Sequence, residues 1–175
     1  MATGRDTQLT RQIGEYLAAA ELGRHGWVAT TFTGSLPGFD ILAVNADGRT
    51  LEVQVKAIRS ASWQLNAGQF LKIEIVDGIQ KVRGLLPLRS NGRICIFIVV
   101  KEQGQDEFYV FHWTDLQKIL LEDYKEGPRP KNPDTLHHAL YPKRIAHFKN
   151  NWPALAAVPN NSFQGTRRDK AAPSP

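Results

Sequence analysis

The chain has 175 residues, 42% of them hydrophobic, with a single cysteine and a formal net charge of +5 at pH 7. That length and apolar content suit one soluble domain with its own core, and no apolar run is long enough to cross a membrane. One cysteine excludes a disulfide framework and a cysteine-ligated zinc site, and the basic excess favours a polyanionic partner through counterion release.

Leu9, Ile13, Leu17 and Ala20 recur at helical spacing within 8–26, Ala18 to Ala20 are good helix formers, and Gly23 with Gly26 supplies a stop. Glu15 then lies beside the apolar stripe. Gly14 inside a helix costs up to about 1 kcal/mol relative to alanine, which points to close approach by a strand or by a nucleic-acid backbone. Residues 27–32 read as the first strand. Ile41, Ala43, Leu51, Val53 and Val55 then alternate with other residues, and Asn45-Ala46-Asp47-Gly48 supplies the turn of a hairpin. Along its second strand Val53 and Val55 share the core side, while Glu52, Gln54 and Lys56 line the other. Asp40 follows a Pro37-Gly38 bend and precedes the apolar pair Ile41-Leu42, so a carboxylate is held at the mouth of a core strand, where it needs a partner.

The loop Arg59-Ser60-Ala61-Ser62-Trp63 leaves that strand; Arg59 suits a phosphate contact, and Trp63 suits stacking on a base or capping the core. Residues 70–76, 80–86 and 93–100 read as further strands, the last buried with Cys95 as packing, and 108–111 as its hairpin partner. Thr114 with Gln117 reads as a capping box for a helix whose stripe is Leu116, Ile119, Leu120 and Tyr124 and which ends near Gly127-Pro128. From 129 to 152 basic and aromatic residues interleave, which suits phosphate and base contact, with Lys143 and Arg144 as candidates. The competing reading has Pro142 begin a final helix that packs Ile145, Phe148 and Trp152 on the core and leaves the charges solvated. His137 and His138 would point opposite ways in an extended segment, which disfavours a metal site with His147. The domain is expected to span 1–157, including this extension, ahead of a disordered tail at 158–175 rich in small and polar residues.

The order Pro37-Gly38-Phe39-Asp40, then Gln54-Val55-Lys56, resembles the PD-(D/E)-x-K nuclease superfamily, in which an Asp begins one strand and a (D/E)-x-K triplet ends the next. Two residues separate Pro37 from Asp40, and Gln54 stands where the motif has an acid, as in a Q-x-K branch. The resemblance implies an α/β restriction-endonuclease-like core, with an N-terminal helix on a mixed central sheet and a later strand and helix. It implies Asp40 and the backbone carbonyl of Val55 as ligands of Mg2+ or Mn2+, Gln54 at the second ligand position, and Lys56 in contact with the attacking water. Gly14-Glu15-Tyr16 resembles the helix acid of the same superfamily, so Glu15 would orient a water or support a second ion. An amide oxygen binds a hard cation without adding charge; Glu52, on the same strand face, either lends that charge or is an ordinary exposed strand glutamate.

The activity so implied is metal-dependent endonucleolytic hydrolysis of DNA, with a homodimer where two strands are cut. The alternative is a catalytically inactive nucleic-acid-binding or protein-interaction module on the same fold. The lack of a leader pattern and of disulfides makes the cytoplasm the expected location, nucleoid-associated if the source is prokaryotic.

Overall fold

The computed structural model describes residues 4–32, 38–88, 92–126, 132 and 134–158. Helix α1 (Gly4–Arg24) leads into a sheet built from β1 (Trp27–Thr31), β2 (Ile41–Asn45), β3 (Thr50–Ile58), β7 (Ile94–Val99) and β8 (Glu107–His112), in that spatial order. The sheet is mixed: β1, β2 and β3 run antiparallel, β3 and β7 parallel, and β7 and β8 antiparallel. Between β3 and β7 come β4 (Trp63–Asn66), β5 (Leu71–Val76) and β6 (Ile79–Leu85), and after β8 come α2 (Trp113–Glu126) and β9 (His137–Leu140). The fold is thus mixed α/β, with an N-terminal helix on a mixed central sheet and a later strand and helix. Pro37, the 89–91 and 127–131 segments and the tail from 159 lie outside the described residues; among them are Arg129 and Lys131.

The β2–β3 hairpin forms where the alternation places it. Asn45 Oδ1 accepts the backbone N–H groups of Asp47 and Arg49, and Gly48 takes a φ of 74°, a left-handed conformation that glycine adopts without steric cost. Leu51, Val53 and Val55 face α1 and pack with Ala18, Leu22, Ile94, Ile96 and Ile98. Cys95 and Phe97 face the other way, toward Leu116 and Leu120 of α2. β7 is therefore covered on both faces, as its unbroken apolar run predicts.

Two expectations shift by a residue. The buried stripe of α1 is Thr10, Gly14, Ala18 and Leu22, while Leu9 is 53% exposed. Burial here follows size more than hydropathy, because α1 lies close on β3: a Cβ added at Gly14 would overlap the Cβ of Ala57. The close neighbour that Gly14 implied is a strand. At α2, Thr114 is inside the helix and the capping box with Gln117 does not form. Asp115 instead reaches back to accept the N–H of His112 at 3.3 Å, and Gln117 turns inward to donate to the carbonyls of Phe70 and Leu86.

The 59–63 segment is only partly a loop, since Trp63 opens β4, which pairs antiparallel with β9. Past β9, short 3-10 turns at Pro142–Phe148 and Trp152–Leu155 replace the single helix read from the sequence, and they do set Ile145, Phe148 and Trp152 against the two cores. Val158 is buried in the core under α1, and Arg49 from the hairpin turn holds the carbonyls of Ala156 and Val158.

Candidate functional site

Asp40 immediately precedes β2, where β3 runs past the end of β2 on one edge while β7 continues beside its other edge. Its N–H donates to the Val53 carbonyl at 2.8 Å, and its Oδ2 accepts the N–H of Val55 at 2.8 Å, so the side chain takes the ladder bond that the missing residue of β2 would have made. The Gln54 amide donates to the same Oδ2 and lies 3.5 Å from the Val55 carbonyl oxygen. Because Asp40 stands at a strand end, its carboxylate is also reached from the helix side of the sheet: Arg11 of α1 places Nη2 3.5 Å from Oδ1. Arg11 Nε is 3.1 Å from Glu15 Oε1, one turn along the same helix. Glu15, Asp40, Gln54 and the Val55 backbone are thereby joined, Glu15 through the Arg11 guanidinium. Asp40 and Glu15 are both largely shielded from solvent.

Lys56 stands two residues along β3 on the Gln54 face, and the two share a cavity of about 450 Å³ with Gly38, Gln69, Arg93 and Trp113. Among the described residues Lys56 forms no ion pair, which leaves its ammonium directed to that cavity. Burial pushes the Cys95 thiol far up, against the opposing pull of Arg93 and Lys56, so the one cysteine stays protonated and is no nucleophile.

Arg93 was not foreseen. It immediately precedes β7, lies over the Trp113 ring at 5.1 Å, and binds Glu52 with Nε at 3.3 Å and Nη2 at 2.9 Å. The Glu52 carboxylate is matched by a guanidinium that is itself only 10% exposed. An arginine at the head of an apolar strand was the available signal, but its partner lies forty-one positions away in sequence.

Among the proposed DNA contacts, Trp63 requires correction: it is 1% exposed, wedged between Phe97 and Tyr109, and its indole N–H donates to the Lys56 carbonyl at 3.1 Å. No base can stack on it. Arg59 is exposed at the bend that leaves β3, and Lys143 is exposed beside the Tyr141 ring. Arg144 is engaged by Asp123 and Glu122 of α2, each at 2.9 Å. His138 pairs with Asp123 as well, at 3.2 Å.

Among the described residues no three His, Cys, Asp or Glu side chains cluster as a metal site. The groups near the junction are the Asp40 carboxylate, the Gln54 amide and the Val55 carbonyl, with the Glu15 carboxylate reached through Arg11; these groups carry oxygens of the kind hard divalent cations take. Turning the Gln54 amide end for end would aim its oxygen where its nitrogen now points. A cation already bridges the two carboxylates in the form of Arg11. The residues present therefore fit a hard divalent ion.

No family model matches the chain, and no curated protein matches it. Among solved structures it is similar to the bacterial homing endonuclease I-Ssp6803I, at 18% identity and a TM-score of 0.49 over 86% of this chain and 93% of that one. It is also similar to Hjc, a Holliday junction resolvase from the archaeal hyperthermophile Archaeoglobus fulgidus, at 15% identity and a TM-score of 0.45 over 82% of this chain and 98% of that one.

Proposed function

We propose that this chain is a divalent-cation-dependent deoxyribonuclease with a restriction-endonuclease-like core and a Q-x-K form of the PD-(D/E)-x-K site. The observation that carries the reading is the junction at Asp40, where one carboxylate gathers the Gln54 amide, the Val55 backbone and, through Arg11, the Glu15 carboxylate.

Asp40, Glu15 and the Val55 carbonyl would hold Mg2+ or Mn2+, which when bound neutralises charge gathering on the phosphate under attack. The chain's own groups supply the remainder. The Val55 N–H holds Asp40 by Oδ2, so its other oxygen, which faces Arg11, is oriented before any ligand arrives. Gln54 completes the oxygen set once its amide turns. Lys56, facing the shared cavity, holds or helps deprotonate the attacking water, and its position is set by the Trp63 indole that grips its carbonyl. Arg59, exposed on the loop leaving β3, pairs with a neighbouring phosphate. DNA is the partner, and a homodimer would serve cleavage of both strands.

Two observations favour a second reading, a DNA-binding module without cleavage: Gln54 adds no charge, and Arg11 offsets one of the two carboxylate charges. Incubating the purified protein with plasmid, branched and single-stranded DNA, with and without Mg2+ or Mn2+, separates the two. Cation-dependent strand scission supports the nuclease; salt-sensitive binding with intact DNA supports the module.

A further inference from the structure

Arg11 occupies the position that a cation between Glu15 and Asp40 would take. Its guanidinium contacts Glu15 Oε1 at 3.1 Å and Asp40 Oδ1 at 3.5 Å, the latter being the Asp40 oxygen that does not take the Val55 N–H. A divalent ion and a guanidinium would draw on the same lone pairs. Two carboxylates approached by one guanidinium repel each other, and Arg11 offsets that repulsion in the cation-free chain. The Arg11 side chain is 60% exposed, so it can swing into water without breaking core contacts.

Building on the assignment of Asp40 and Glu15 as cation ligands, we propose that Arg11 is an internal competitor of the metal ion. Its guanidinium holds the two carboxylates in place in the cation-free protein and leaves them when the ion enters. The cation affinity of the resting chain is thereby set below what its oxygen donors alone would give. Competing ion pairs this exposed are weak, so the effect is modest in size.

The test is a Mn2+ titration of the full chain without DNA, followed by electron paramagnetic resonance of the free ion. Wild type should bind Mn2+ in an Asp40-dependent manner, and Arg11→Gln should lower the dissociation constant by about three- to tenfold. Arg24→Gln removes the same charge from the far end of α1, about 20 Å along the helix, where its partner is Glu21. It should titrate like wild type. An Arg11→Gln curve that overlays wild type or lies on the weaker side overturns the proposal, as does an equal shift in Arg24→Gln, which would reduce the effect to net charge. If Asp40→Asn binds Mn2+ as wild type does, the cation site itself is wrong and the competitor falls with it, an outcome distinct from failure at Arg11 alone.

Discussion

The Asp40 carboxylate accepts the backbone N–H of Val55 at 2.8 Å, so the acid of the candidate centre is also a structural cap on β3. Removing it therefore does two things at once. Asp40→Ala strands a shielded N–H and the Gln54 amide and should cost about 1–3 kcal/mol of stability, whereas Asp40→Asn keeps an acceptor oxygen for Val55 and should cost less. Urea unfolding of the two variants checks this, and equal losses would mean that the cap contributes nothing.

Gly14→Ala should destabilise despite alanine's better helix propensity, which is worth about 1 kcal/mol. The new methyl would overlap the Cβ of Ala57, and relieving that overlap means lifting α1 off β3 at a cost of about 1–3 kcal/mol. Ala57→Gly in the same chain should recover part of the loss. A stabilised single variant in chemical denaturation would show that helix and strand are not so closely packed.

Gln54→Glu replaces a donor to Asp40 with a second anion. In chelator the variant should melt below wild type, and its melting temperature should climb more steeply with added Mg2+, because an ion that binds only the folded chain stabilises it by mass action. Parallel thermal-shift curves for the two proteins would place position 54 outside the ion's coordination.

Trp63→Phe should leave DNA affinity unchanged while removing the indole bond to the Lys56 carbonyl, and Trp63→Ala should cost about 3–5 kcal/mol as a buried cavity. Fluorescence anisotropy beside thermal unfolding distinguishes this from base stacking, which would show as weakened binding in Trp63→Phe.

Glu107 offers a pH signature away from the centre. Lys149 at 2.8 Å, then Lys101 and the Tyr109 hydroxyl, hold its carboxyl down to about 2 from an ordinary 4.5. A folded pKa below the unfolded one means that the stabilisation is full above 4.5 and is lost as pH falls through about 2. Glu107→Gln should thus be less stable than wild type at pH 7, with the gap closing toward about pH 2. A gap that stays constant on acidification would remove Glu107 from the acid transition.

What could be read in the sequence was local. The β2–β3 hairpin followed from alternation and an Asn-Ala-Asp-Gly turn, and the cost of Gly14 signalled a close neighbour before the neighbour was known. The buried face of α1 was misplaced because Thr10, Gly14 and Ala18 earn burial through smallness, which a hydropathy stripe does not register. The β4–β9 pair joins residues 63–66 to 137–140, and Gln117 finds its acceptors at Phe70 and Leu86; nothing in either short segment names a partner so distant. At the centre, the Asp40, Gln54 and Lys56 spacing was visible and the Arg11–Glu15 pair had ordinary helical spacing, but the contact from Arg11 to Asp40 exists only once α1 lies across the end of β2.

The most direct measurement is plasmid cleavage in Mg2+ by wild type, Asp40→Asn and Lys56→Ala, with DNA binding followed in parallel over a salt series. The expected result is cutting by wild type that chelator abolishes, a loss of about a hundredfold or more in each variant, and DNA affinity with its salt slope retained. Cutting that persists in chelator, or survives in both variants, would contradict a hydrolytic centre at Asp40 and Lys56.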